Sequence, residues 1–422
     1  MSITLFGIIY LCVLLVAFFL KYKWLAYIYA FSYLFQSSAV FGISGTGMAP
    51  YMIAPFALWV KGLFLPSTNT AYSFNLKKIF AVFFIFVVFQ GCFSTMLFDG
   101  MRVYQVGGLE TNLGSAGVPL HFGIRNIYQW YCLGINLLGL YSLYTHRGKI
   151  PNDYASHVII ISSIIVVALG LWRYITVNFG GWFPVDFIYS DYFAIDNVEQ
   201  VTAGLVRFTS IFLEASWCGL FLAVWIWNLF WLNTYNKFVL IAIIVLCIIL
   251  TLSSTGLMLA MIGFMLFSLI NKKIKYLILI AFFLLCAYVF LKSTMFGEFV
   301  YYSVFEKTDS VSTESRIGIM DYSWNLFIKT YGLGCGLGSS ISSNFVLGLL
   351  SQIGILGTFL FTLLLWKVAK KIRFNHCRVL LFPGLLLMIG LFGTGGSLTH
   401  PILWLEIILM LSINEGEIVI KE

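Results

Sequence analysis

"ITLFGIIYLCVLLVAFFL", residues 3–20, contains no charged side chain. A helix needs roughly 20 apolar residues to cross the hydrocarbon core of a bilayer, where it satisfies its own backbone hydrogen bonds. No basic residue precedes this run and no small-residue cleavage site follows it. It therefore reads as a retained first span and not as a removed leader. The fold then turns on how many similar runs follow.

Of the 422 residues, 60% are hydrophobic and 10% are charged, against roughly a quarter charged in soluble domains. Apolar runs recur at 2–20, 24–42, 49–64, 79–98, 124–144, 156–176, 208–230, 238–253, 256–271, 276–291, 344–365, 379–395 and 400–413. The third is short, and FGTGGS (392–397) interrupts the last pair, so twelve or thirteen spans are expected. The expected fold is all-α: one polytopic integral membrane domain over residues 1–422, with 12–13 transmembrane helices. The eight cysteines form no CxxC pair, and Cys12, Cys132, Cys247 and Cys286 fall inside apolar runs as small hydrophobes. His121, His146, His157, His376 and His400 show no ligand spacing, and the adjacent His376 and Cys377 lack a third ligand nearby. No metal and no cofactor are expected.

Charge gives orientation. Lys21 and Lys23, Lys61 with Lys77 and Lys78, Arg147 and Lys149, Lys237, Lys272 to Lys275, and Lys367 to Arg378 fall in every second gap. By the positive-inside rule these gaps are cytoplasmic, which accounts for the net charge of +8 without a nucleic-acid partner. The alternate gaps carry most of the acids. Two of them are long, 178–207 and 292–343, and a smaller one covers 99–123. Long connections on a rigid scaffold often carry function. No internal repeat is evident, which argues against a transporter of two equivalent halves.

Chemistry-bearing residues cluster in those outer gaps. Arg207 ends one and Arg316 lies in the other, and a guanidinium fork suits phosphate as well as it suits anchoring a helix end. Glu214 follows Arg207 by seven residues in RFTSIFLE; a helix starting near Phe208 would place it two turns into the span on nearly the same face. It reads either as a partly desolvated general base or as an ion-pair partner of Arg207 or Arg173. Glu406, in PILWLEIILML, reads as a structural acid. The polar knot at 250–260, LTLSSTGLMLA, is either a hairpin turn or a set of amides for an anion. In GLGCGLGSS (332–340), Gly334 and Gly336 supply a sharp turn that lets backbone approach a ligand; no β-strand precedes it as a nucleotide fingerprint requires. SSN before 345 supplies N-cap chemistry through Asn344, and SQIGILG (351–357) a tightly packing helix face. Trp182, Tyr189, Tyr192 and Trp324 suit sugar stacking and an interfacial belt equally well.

These motifs resemble the bacterial O-antigen polymerase and O-antigen ligase superfamily of membrane proteins. The likeness rests on Arg316, Trp324 after seven intervening residues, Gly332-Leu-Gly-Cys-Gly336 after seven more, then the asparagine-led helix from Asn344 to Gly357. LSSTG (252–256) is similar to the family's turn, and RFTSIFLE (207–214) to its arginine and glutamate at a helix entry. Together these cover about 205–360. Serine stands at 343 and threonine at 255, where relatives often have histidine and arginine. The missing histidine favours polymerase over ligase.

The resemblance implies an undecaprenyl diphosphate-linked oligosaccharide as donor, in a bacterial inner membrane with the site facing the periplasm. Arg207 and Arg316 would grip the diphosphate and Glu214 would serve the acceptor hydroxyl. Trp182, Tyr192, Trp324, Gly334, Gly336 and Asn344 complete the expected substrate-binding set. Membrane lipid, a chain-length regulator and the flippase are the further partners it implies. The alternatives are transfer of glycan to lipid A-core by a ligase, and a flippase or other transporter.

Overall fold

The structure, a computed structural model, describes residues 2–43, 46–67, 70–104, 117–190, 201–202, 205–234, 236–270, 311–374 and 381–413. The expected run at 276–291, the first part of the 292–343 gap, Tyr192, His376 and Cys377 lie outside them. The protein is an all-α polytopic membrane protein, with fourteen α-helices among the described residues and no closed sheet. Among the described residues, three helical segments are long and apolar enough to cross a membrane: Leu76–Leu97, Tyr154–Phe179 and Phe345–Lys370. Six further apolar helices have 10–17 residues.

The amino-terminal half opens with α1 (Leu5–Phe19), capped by the Thr4 hydroxyl accepting from the Gly7 amide at 2.8 Å. Its last carbonyls are bonded by Lys61, whose ammonium donates to Ala17 and Phe18 at 3.3 and 2.6 Å and to Leu20. A cation is favoured there by the partial negative charge at a helix C-terminus. The run expected at 24–42 is α-helical only over α2 (Tyr22–Ser32), and the next only over α3 (Ala54–Leu63), after a 3-10 turn at Pro50–Met52. Eleven residues rise about 16 Å, well short of a bilayer core. The chain between them is irregular yet mostly buried. Ser37 and Ser38 donate to the carbonyls of Ile211 and Ile188 at 2.8 and 2.5 Å, and β2 (Phe41–Ile43) pairs with β1 (Ser2–Ile3) and β3 (Thr46–Met48). Non-helical backbone at membrane depth is tolerated where protein supplies its partners.

The helices α4 (Thr70–Leu97), α5 (Ile124–Thr145) and α6 (Tyr154–Phe179) follow the expected runs, and the short α7 (Val185–Ile188) lies in the 178–207 gap. The core of the bundle is α8 (Ala215–Trp231) with the last helix, α14 (Pro401–Ser412). Every residue of 215–229 except Trp217 is buried, and α14 is buried apart from Met410. Helices apolar all round belong inside. A polar contact joins them: Asn228 Nδ2 donates to Glu406 Oε2 at 2.9 Å. That fits a structural role for Glu406.

Against this pair stand α9 (Lys237–Leu250), α10 (Ser254–Ile270), α12 (Phe345–Phe374) and α13 (Leu381–Thr394), and α11 (Val311–Lys329) packs on α12. The described part of the 292–343 gap is largely the helix α11. One sequence expectation changes here. Within α12, Gly354 (φ 69°) breaks the helix instead of lying in a smooth packing face.

Candidate functional site

The hairpin of β6 (Val201–Thr202) and β7 (Leu205–Val206) leads into Arg207. Residues 208–214 do not continue as helix. Ser210 adopts φ 53°, Phe208 N donates to Leu250 O at 3.1 Å, and α8 starts only at Ala215. Glu214 is the residue before that helix, in extended conformation and half-buried, so it does not sit two turns into a span. This segment is instead bonded to the α9–α10 turn. The Arg207 Nε and Nη2 groups donate to the carbonyls of Thr251 and Leu252, at 2.9 and 3.0 Å, with Leu252 at φ 46° turning its carbonyl toward the fork. Of the two readings of this stretch, the hairpin turn between α9 and α10 is what the structure has. It offers carbonyls to an arginine.

Arg316 lies in α11, and the Ser343 hydroxyl donates to its backbone carbonyl at 2.7 Å. Arg207, Glu214 and Arg316 are electrostatic neighbours. Burial lowers the Arg207 pKa from its ordinary value, the Glu214 carboxylate raises it and the Arg316 guanidinium lowers it further. An arginine remains charged under such a shift. Glu214 forms no ion pair with either arginine among the described residues; Ser216 Oγ donates to its Oε2 at 2.8 Å. Nor does it pair with Arg173. That buried guanidinium donates to Thr209 Oγ1 and stands 5.0 Å from the Tyr189 ring centre, tying α6 to the segment after Arg207. Arg207 thus lies within electrostatic reach of one carboxylate and one further cation, with no ion pair among the three in the described residues.

The glycine turn is a structural plug. Gly334 and Gly336 are buried with positive φ, and their amides are used: Gly334 N by Thr330 Oγ1 at 3.1 Å, Gly336 N by Gln352 O at 2.8 Å. The break at Gly354 frees carbonyls in α12, and Cys335 and Gly336 donate to those of Ser351 and Gln352. In return, Gly332 O accepts from Ile355 N at 2.9 Å. Asn344 is spent on capping, with Oδ1 accepting from Leu347 N at 3.0 Å and Nδ2 donating to Phe392 O at 2.9 Å. Trp324 (48% exposed) and Trp182 (73% exposed) are open to the surroundings and pack on Phe327 and Trp172. No contact links either tryptophan to the three charged residues among the described residues.

The third outer gap belongs to the same end: Tyr322 donates to Arg102 O, and Ile341 N to Tyr104 O at 3.0 Å. The residues that sequence reading missed are the supports, namely the Thr251 and Leu252 carbonyls and the Ser216 and Ser343 hydroxyls.

A family model described as O-antigen ligase matches residues 238–345. The match supports the O-antigen polymerase and ligase superfamily without separating the two activities. It runs from α9 to the start of α12, so it includes Arg316, Trp324, Gly334, Gly336 and Asn344 and stops short of Arg207 and Glu214. No curated protein and no solved structure matches the chain.

Proposed function

We propose that this protein is a polysaccharide polymerase of the O-antigen type. In this reading it transfers a growing glycan from undecaprenyl diphosphate to the non-reducing end of a new lipid-linked repeat unit. It sits in a bacterial inner membrane with the charged site facing the periplasm. The observation that carries the reading is that Arg207 feels both Glu214, from its own segment, and Arg316, from the distant helix α11. The family match over 238–345 supports the glycan chemistry.

The acceptor hydroxyl oxygen attacks the anomeric carbon as the bond from that carbon to the diphosphate oxygen breaks. The bonding pair leaves on the diphosphate, where Arg207 and Arg316 stabilise the growing negative charge, often the largest catalytic effect. The hydroxyl proton passes to Glu214 Oε1, since Oε2 already accepts from Ser216. Sugar diphosphate is an activated donor, so these residues need only position, stabilise and accept a proton. Polymerase is preferred to ligase because position 343 carries a serine whose hydroxyl is committed to Arg316 O.

Arg316→Ala is expected to abolish long-chain polysaccharide on a glycan gel while the protein stays at its normal level in the membrane. Normal chain lengths would sink the assignment. Glu214→Gln should slow chain growth by about 10²-fold or more if the carboxylate takes the proton; an unchanged ladder leaves it a structural acid. Deleting the gene should leave a single repeat unit on lipid A-core. Core with no repeat unit, alongside accumulated lipid-linked polymer, would instead identify a ligase.

A further inference from the structure

A groove of about 910 Å³ opens sideways at the opposite, lysine-rich end of the bundle, between α1, α2 and the start of α6. Its volume lies within the range typical of small-molecule sites. Its walls are sorted by polarity. Lys23, Trp24 and Asp153 line one end, Tyr27 and His157 lie about a turn further in, and Val13, Phe31 and Ile161 line the part about two helical turns deeper. An apolar trough with a polar mouth at a membrane edge fits an amphiphile lying along the helices.

The mouth specifies which amphiphile. Lys23 stands 5.1 Å from the Trp24 ring centre, and across the groove Asp153 carries the opposite charge. Asp153 occupies the N-cap position of α6, yet its side chain does not cap that helix. Its only ion pair among the described residues is with His157 Nδ1 at 3.6 Å, and that nitrogen also bonds the Tyr27 hydroxyl at 3.1 Å. The Asp153 and His157 side chains are 60% and 50% exposed, so the carboxylate is open to a visitor. A carboxylate at the edge of lipid is costly without a cation. A purely anionic headgroup would satisfy Lys23 and repel Asp153.

We propose that this groove is a binding site for a zwitterionic phospholipid with a primary amine, such as phosphatidylethanolamine. The phosphate meets Lys23, the ammonium meets Asp153, and an acyl chain lies along Val13, Val16, Ile28 and Ile161. The site is separate from the outward cluster and does not depend on the reaction assigned to it.

The test uses full-length protein, stripped of lipid in detergent and given phosphatidylethanolamine or phosphatidylglycerol, with bound lipid read by native mass spectrometry. The wild type should retain phosphatidylethanolamine over phosphatidylglycerol by roughly tenfold, the scale of one well-placed charge-assisted contact. Asp153→Asn should remove that preference, Lys23→Gln should lower retention of both lipids, and Ile161→Trp, by filling the trough, should do the same. Each variant is checked for an unchanged melting temperature without lipid, and Asp153→Glu should restore the preference if Asp153→Asn melts early. Equal retention of the two lipids by the wild type overturns the proposal, as does a preference that survives Asp153→Asn. Either would mark an unselective lipid shell.

Discussion

At the scale of single residues, the outward site depends on how each charge is held. Arg207 is fixed by two backbone carbonyls through its planar fork. A lysine keeps the charge and loses that geometry. Arg207→Lys is therefore expected to cost about 1.5–3 kcal/mol of local stabilisation and to shorten the polysaccharide on a gel, with protein level unchanged. A wild-type ladder would show that charge alone suffices at this position. Glu214 was recognisable as a candidate because an acid beside apolar sequence is expensive. Its place before the helix was not recognisable. The run 208–230 is apolar throughout apart from Thr209, Ser210, Glu214, Ser216 and Asn228, and hydropathy does not distinguish helix from buried irregular chain.

At the scale of elements, the glycine turn and the broken helix α12 form one unit. The turn supplies amides to carbonyls that the break at Gly354 leaves without helical donors, and Gln90 of α4 donates to Leu333 O and Gln352 O at 2.7 and 3.1 Å. A β-carbon on Gly334 would lie 2.7 Å from both Gln352 O and Gly354 N, at φ 78°. Gly334→Ala should destabilise the protein by about 2 kcal/mol or more, seen as a lower melting temperature in detergent and less folded protein in membranes. A melting temperature equal to wild type would mean that the plug gives way easily. The glycines announced an unusual backbone in the sequence. That this backbone completes a distant helix, and not a ligand cradle, depends on a contact with residues some twenty positions later.

At the scale of the whole molecule, the alternation of lysine-rich and acid-rich gaps sorts the described chain into two ends. The 99–123 gap, the α9–α10 turn, α11 and the segment before α12 meet at one end; Lys23, Lys61 and Asp153 lie at the other. A single cysteine placed at exposed Asp186, with the eight native cysteines replaced, should react with a membrane-impermeant maleimide on whole cells. One at Lys149 should react only after the cells are opened. The reverse pattern would invert the molecule and remove the proposed site from the periplasm. The sequence by itself determined the membrane class, the all-α architecture and the three charged residues worth testing. Each of these follows from transfer free energies that are local to a residue or a short run. Only the tertiary structure decided that α2 and α3 stop short, that Glu214 precedes its helix, that Thr251 and Leu252 hold the Arg207 guanidinium, and that Ser343 bonds the backbone at Arg316. Those outcomes rest on hydrogen bonds between segments tens of residues apart, where a backbone group freed in one element finds its partner in another.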